Sequence, residues 1–445
     1  DVCSSDLMRF RYDQVGNQSQ ITSPSGLVTK TSYDSQGRIT RTEDPAGNVT
    51  TYEYGAKGGP LAGLLTATNY PTYKETYQYD QRGRQTAITQ HLGNNETRTQ
   101  HQGYDATGQR ISSTDPTGRT TLYQYDGLGR LTQTTDPLVQ HTRQGWNAHD
   151  QLVSLTDANG NTHRFEYDKK GNKTKEIRPM GGAISYSYDA VGQLTQRTDA
   201  GGNTRSYSYD QAGGLTLEEH KLDGSTLDQR ISYSYDADGL MAGYEQKDGN
   251  ASLISSASYT RDAQGRSTQS DIIYGKVDGS GTFSFQIGQG FDQDGQLASH
   301  TYPDGSKGSY AYSQGRLTQI TLPNGSQISY GNYQWQVPTQ IQGPNSIKTV
   351  TVDALQRPLR IEVKNDSSQT LASRAYLYDA AGNITQIDGD IGRTQYGYDQ
   401  IDRLTQVSPD QALQARGLPT EQYNYDLVGN RTSSAHQPGA WTYNQ

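Results

Sequence analysis

A short motif, Tyr-Asp-x-x-Gly, recurs along nearly the whole chain and constrains it more than any other feature. Copies stand at Tyr12, Asp13 and Gly16; Tyr33, Asp34 and Gly37; Tyr79, Asp80 and Gly83; and Tyr104, Asp105 and Gly108. Others are Tyr125, Asp126 and Gly129; Tyr167, Asp168 and Gly171; Tyr188, Asp189 and Gly192; and Tyr209, Asp210 and Gly213. The series ends with Tyr235, Asp236 and Gly239; Tyr378, Asp379 and Gly382; and Tyr425, Asp426 and Gly429. The steps from Tyr12 to Tyr33, Tyr104 to Tyr125, Tyr167 to Tyr188 and Tyr188 to Tyr209 are each 21 residues. Trp146 falls midway between Tyr125 and Tyr167 and takes the Tyr slot of a degenerate copy, while Phe291 and Val352, each followed by Asp, mark worn copies. A fixed period of this kind signals units that stack on their sequence neighbours.

A second marker, Asp-Pro-x-Gly, runs out of phase with the first. It occurs at Asp44 and Asp115, with relatives at Asp136, Asp157 and Asp199. Each 21-residue unit therefore holds two turns joined by two short segments rich in Thr, Tyr and aliphatics, such as 120–125 and 130–135. Such segments are strands. Asp caps the turn through its carboxylate, Pro presets φ at the next position, and Gly allows φ > 0 at the fourth. Tyr123 and Tyr125 stand two apart, as do Tyr186 and Tyr188, so their rings share one sheet face. The fold class is all-β: a long antiparallel hairpin meander with little helix. Two strands per unit give roughly 35–40 strands at ~4.8 Å spacing. So long an open sheet has to coil, and a spiral shell or barrel, open-ended in this chain, is expected.

Composition narrows the function. Hydrophobic residues are 31%, too few for several multilayer cores, yet Tyr reaches 33 against 5 Phe, which separates the chain from disordered ones. Tyr suits a thin wall wetted on at least one side. The net charge of −8 leaves no basic footprint for nucleic acid, and no apolar run is long enough to span a bilayer. Cys3 is the only cysteine, so no disulfide or Cys-based metal site forms within the chain.

The run from Tyr123 to Pro137, Tyr-Gln-Tyr-Asp-Gly-Leu-Gly-Arg-Leu-Thr-Gln-Thr-Thr-Asp-Pro, resembles the YD repeat of the Rhs family. That family includes bacterial polymorphic toxins, the cage component of Tc insecticidal toxins, and the β-barrel of animal teneurins. The resemblance extends from about residue 10 to 445, with worn copies at about 240–375. It implies a single YD-repeat shell domain over 10–445, truncated at its C-terminus, after a non-repeat start at 1–9. It also implies a structural role in a secreted or cell-surface toxin, with the shell enclosing a C-terminal toxic domain of the same polypeptide. An immunity protein and a secretion-system spike or adaptor are the further partners it implies. No match to the family's self-cleaving terminal core is found, so its autoprotease is carried over to no residue here. The teneurin resemblance leaves an alternative open: a surface interaction module binding glycans or proteins through Tyr-rich faces.

No enzymatic role, cofactor or metal is expected. The carboxylates are almost all turn residues of the repeat, and the His are scattered, with His141 and His149 the nearest to a pair. Asp157-Ala-Asn159-Gly-Asn161 imitates the start of a calcium loop, but Thr162 replaces the Gly needed at its sixth position and Asp168 the closing Glu. Trp441 to Gln445 resembles the opening of another Tyr-x-Tyr-Asp unit.

Overall fold

The computed structural model describes residues 7–276 and 279–434; Cys3 and the run from Trp441 to Gln445 lie outside them. The chain divides into two compact units. One is made of Asp1–His141, Gln293–Gly295 and Tyr310–Asn444, the other chiefly of Thr142–Asp292 and Gln296–Ser309. The described residues form 38 strands of a single antiparallel meander sheet that is not closed, and one short helix, Gln411–Gln414.

Within the first unit, hairpin follows hairpin: Val28–Tyr33 pairs with Ile39–Glu43, which pairs with Val49–Tyr54, which pairs with Leu65–Asn69. The second unit repeats the scheme from Leu152–Thr156 through Thr204–Tyr209 with strands of five or six residues. Its strands then lengthen to between 8 and 10 residues, from Leu215–Leu222 to Thr282–Phe291. This wider stretch begins where the 21-residue spacing lapses, because extra residues in each segment add rungs to the ladder.

One turn geometry generates nearly all of this. The Asp13 N–H donates to the Asn17 carbonyl and the Gly16 N–H to the Asp13 carbonyl; the same pair of bonds recurs at Asp34, Asp80, Asp126, Asp168 and the other copies. This is a type I turn closed by a left-handed residue. In the eleven motif copies that residue is Gly, with φ from +76° at Gly37 to +104° at Gly382. A bulge follows each Tyr-Asp turn. Tyr125 faces Leu131 while Gln124 faces Gln133, leaving Thr132 without an opposite residue. The Thr132 hydroxyl closes the bulge by donating to the Gln124 carbonyl, and Thr40, Thr216 and Thr268 act in the same way. The Gly-Arg-Leu-Thr that follows Tyr125-Asp126 thus has a local cause: Leu131 pairs with Tyr125, and Thr132 seals the bulge.

The register divides the side chains between two faces. Tyr123 and Tyr125 share a face with Thr134 and Leu131, while Gln124 and Gln133 share the other. One face is therefore Tyr-rich and the other carries mainly Gln, Ser and Thr. Little is fully buried, as a single layer requires: among the described residues the buried hydrophobics are Ala67, Ala87, Ile184, Ala257 and Val350. Ladder hydrogen bonds and half-buried rings have to supply the cohesion that a core gives elsewhere.

Gly129 sits at φ +86° and Val139, in the equivalent place of the Asp136 turn, at φ +62°. Gly129→Val is expected to destabilise the chain by about 1–3 kcal/mol, because a β-branched residue is strained there. Val139→Gly, which relieves the same strain, is expected to raise stability by a few tenths to about 1 kcal/mol. Denaturant unfolding of both variants checks the pair; equal effects of the same sign would contradict the turn geometry.

Candidate functional site

The aspartate of each motif copy accepts hydrogen bonds from within its own turn. Oδ1 of Asp126 accepts from the N–H groups of Leu128 and Arg130, and Oδ2 accepts from Arg130 Nε at 2.8 Å. Asp34 with Arg38 and Asp80 with Arg84 repeat the arrangement. At Asp13, Asp168, Asp379 and Asp426 an Asn four residues on takes the place of the Arg. Asp105, Asp189, Asp210 and Asp236 keep the backbone bonds from the residue four places on. The Asn17 side chain holds the Asp13 carboxyl below its ordinary pKa, and the side chains of Arg38 and Arg130 do the same for Asp34 and Asp126. Asn172 does so for Asp168.

The tyrosines tie one unit to the unit before it. Tyr125 OH donates to the Arg110 carbonyl at 2.9 Å, Tyr188 OH to Lys173 at 2.8 Å, and Tyr209 OH to Leu194 at 2.9 Å. Tyr33, Tyr79, Tyr104, Tyr167, Tyr235, Tyr378 and Tyr425 make the same reach, each to the backbone just past the preceding turn. Tyr12, with no described strand before it to reach, is 61% exposed. The turn arginine completes the link. Arg84 lies over the Tyr104 ring at 4.9 Å and donates from Nη1 to the Asp105 carbonyl; Arg403 treats Tyr425 and Asp426 in the same way. Burial raises the phenol pKa of Tyr79, Tyr188, Tyr209 and Tyr378.

Several members of this network were not among the motif residues read from the sequence. Asn147 stands in for Asp after Trp146 and is capped by Gln151, with Asp150 left-handed where Gly would be. Asp262 with Arg266, Asp353 with Arg357 and Asp399 with Arg403 are full turns, although Arg261 and Val352 replace Tyr in two of them and Asp402 replaces Gly in the third. The signal that finds the three Asp turns is Asp followed four residues later by Arg, since that spacing is what the carboxylate needs.

Within the first unit, turns far apart in sequence meet along a seam. Thr72 Oγ1 donates to the Ala354 carbonyl at 2.7 Å and Arg98 Nε to the Ala380 carbonyl at 2.6 Å, both across 282 residues. Arg119 reaches the Asp399 carbonyl and pairs with Asp402 at 2.8 Å. Tyr70 and Tyr73 stack at 4.6 Å beside Trp335, where burial pushes the Tyr73 phenol up to about 12. Ala354 and Ala380 each follow a turn Asp, and their carbonyls lie outside the turn's own bonds. The repeat thus leaves an acceptor at its edge that another row of turns can use.

Both oxygens of Asp157 are taken by Asn161, so the calcium-like sequence is an ordinary repeat turn. Among the described residues no group of three or more His, Cys, Asp or Glu is placed to hold a metal, and no helix is long and apolar enough to cross a membrane.

The teneurin YD-shell family model matches residues 4–445. The chain belongs to that family. Solved Tc toxin structures contain a fold similar to this one. The Tc holotoxin pore of Photorhabdus luminescens matches at TM-score 0.65 and 15% identity, over 97% of this chain and 26% of that one. TcdB2-TccC3 without its hypervariable C-terminal region matches at TM-score 0.58 and 15% identity, over 98% of this chain and 26% of that one. The chain therefore spans about a quarter of the length of these solved chains, and at such identity the likeness is one of fold. No curated protein matches the sequence.

Two measurements test the YD-shell network. Tyr209→Phe removes one hydroxyl and no ring, and is expected to lower stability by about 1 kcal/mol; an unchanged unfolding midpoint would count against the reach to Leu194. The second measurement is the dependence of melting temperature on pH. Asp13, Asp34, Asp126 and Asp168 have folded pKa values below the unfolded value, so their contribution is present above about pH 4 and is lost as pH falls below it. Tyr79, Tyr188, Tyr209 and Tyr378 have folded values above the unfolded one, so their contribution is present below about pH 10 and is lost as pH rises beyond it. Melting temperature should therefore fall at both ends, with tyrosinate absorbance appearing together with unfolding at the alkaline end. Complete tyrosinate formation while the chain is still folded would contradict the hydroxyl bonds of the part-buried tyrosines.

Proposed function

We propose that this chain is a wall segment of a YD-repeat shell that encloses a toxic polypeptide of the same protein until delivery, in a secreted or surface-displayed toxin. The observation that carries the reading is the seam of the first unit, where rows of turns about 280 residues apart are fastened edge to edge. A ribbon that fastens to itself makes continuous wall from a single layer, and wall is what enclosure needs. The described residues lend little to catalysis: the repeated carboxylates are occupied by their own turns, and the likeness in fold is to Tc toxin assemblies. An immunity protein and a secretion-system spike or adaptor are the partners of such a toxin.

Limited proteolysis of the full-length natural protein tests the proposal. Its non-shell toxic segment should resist protease while the seam is intact, and should be cut at least several-fold faster when Arg98→Ala and Arg119→Ala are combined. Equal cleavage in parent and variant would refute enclosure, and glycan binding by the isolated shell with no protected segment would favour a surface module.

A further inference from the structure

The register of the second unit sets two arginines against each other. Arg197, in the strand Leu194–Thr198, is the direct partner of Arg205, in the strand Thr204–Tyr209, so their side chains leave the same face. Like charges in that relation destabilise a strand pair. The repeat does not impose them: the same place in other hairpins holds Thr42 with Thr50, Leu155 with His163, and Glu176 with Ile184.

The surroundings compensate the two unequally, with Arg197 feeling the Asp199 carboxylate only at longer range. Arg205 Nη1 lies 3.6 Å from Glu218 Oε1, but that oxygen is already engaged by His220 Nε2 at 2.5 Å. Arg197 has no carboxylate within ion-pair distance among the described residues. Tyr207, two residues beyond Arg205 on the same face, is close enough for both guanidinium groups to act on its phenol, and its hydroxyl has no hydrogen-bond partner among the described residues. Burial, and then Glu218, keep that phenol protonated and able to donate. Arg205 is 52% exposed at its side chain, so the place is open to solvent.

We propose that Arg197, Arg205 and Tyr207 form a binding site for an oxyanion, a carboxylate or phosphate group carried by a ligand. Two guanidinium groups offer planar forks that match either group, and the phenol adds one donor. A bound anion converts the repulsion between the arginines into shared attraction, which accounts for two like charges being set where the rest of the repeat keeps neutral or singly charged pairs.

Thermal unfolding of the full chain in inorganic phosphate, acetate or chloride at matched ionic strength tests this. Phosphate or acetate is expected to raise the melting temperature above that in chloride, and the more effective of the two names the ligand class. Arg197→Gln and Arg205→Gln should each weaken binding of that anion by about tenfold or more in a calorimetric titration. In chloride, Arg197→Gln should melt above the parent, because the repulsion is gone. Lys221→Gln, which removes a charge from the opposite face of the neighbouring strand, should keep the full response. No rise beyond chloride, or an unchanged response in Arg197→Gln, would overturn the site. Melting of Arg197→Gln below the parent in chloride would do so too, since it would make the pair structural.

Discussion

A turn aspartate that satisfies two backbone N–H groups and one side chain is the interaction on which the rest of this molecule depends. A single-layer sheet has almost no interior, so its turns cannot be held in place by packing. Each turn has to be rigid by itself, and the carboxylate achieves this with bonds that close inside five residues, as at Asp126. Once the turn is fixed, the bulge after it fixes the register, and the register decides which face receives the rings. The Tyr hydroxyl then carries that order back to the preceding unit. Turn, bulge and ring thus form one chain of cause in which each step needs the one before.

That dependence explains why the network spreads along the sheet without a core. The arginine that locks its own aspartate also covers the next ring and donates to the next turn, as Arg84 does for Tyr104 and Asp105. Coupling is between neighbours, which is the energetic pattern of a repeat protein. Worn copies survive because the parts are separable. Asn147 keeps the cap without a carboxylate, and Asp402 accepts the left-handed conformation without being Gly. Losing one contact weakens one link and leaves those on either side intact.

Most of the fold was legible because its period is short and its turn chemistry is explicit. The strand arrangement, the turn roles of Asp and Gly and the shared face of the rings follow from the 21-residue unit and from alternation along a strand. The residue four places after each Asp was not legible as a partner, because Arg, Asn and Gln share that place and look like ordinary surface variation until the carboxylate geometry is seen. The seam was out of reach for a different reason. Apart from the Asp402 carboxylate that pairs with Arg119, its named acceptors are backbone carbonyls, at Ala354, Ala380 and Asp399, and a carbonyl leaves no mark on residue identity. Its donors, Thr72 and Arg98, sit in segments where polar residues are common.

The contrast between carbonyl acceptors and charged partners bears on how such a wall is fastened. A seam built from matched charges would require both rows to keep their residues in step over 282 positions. A seam in which side chains of one row donate to the turn carbonyls of the other asks far less. The acceptor is supplied by turn geometry and is present wherever the turn is, including turns such as that at Asp353, where Val352 has replaced the Tyr. Only the donors need to be suitable, and Thr, Arg or a long polar side chain will serve. The turn that makes a strand pair is thereby also the fitting that joins one row to another, so a chain able to form its hairpins already carries most of what it needs to lay them edge to edge.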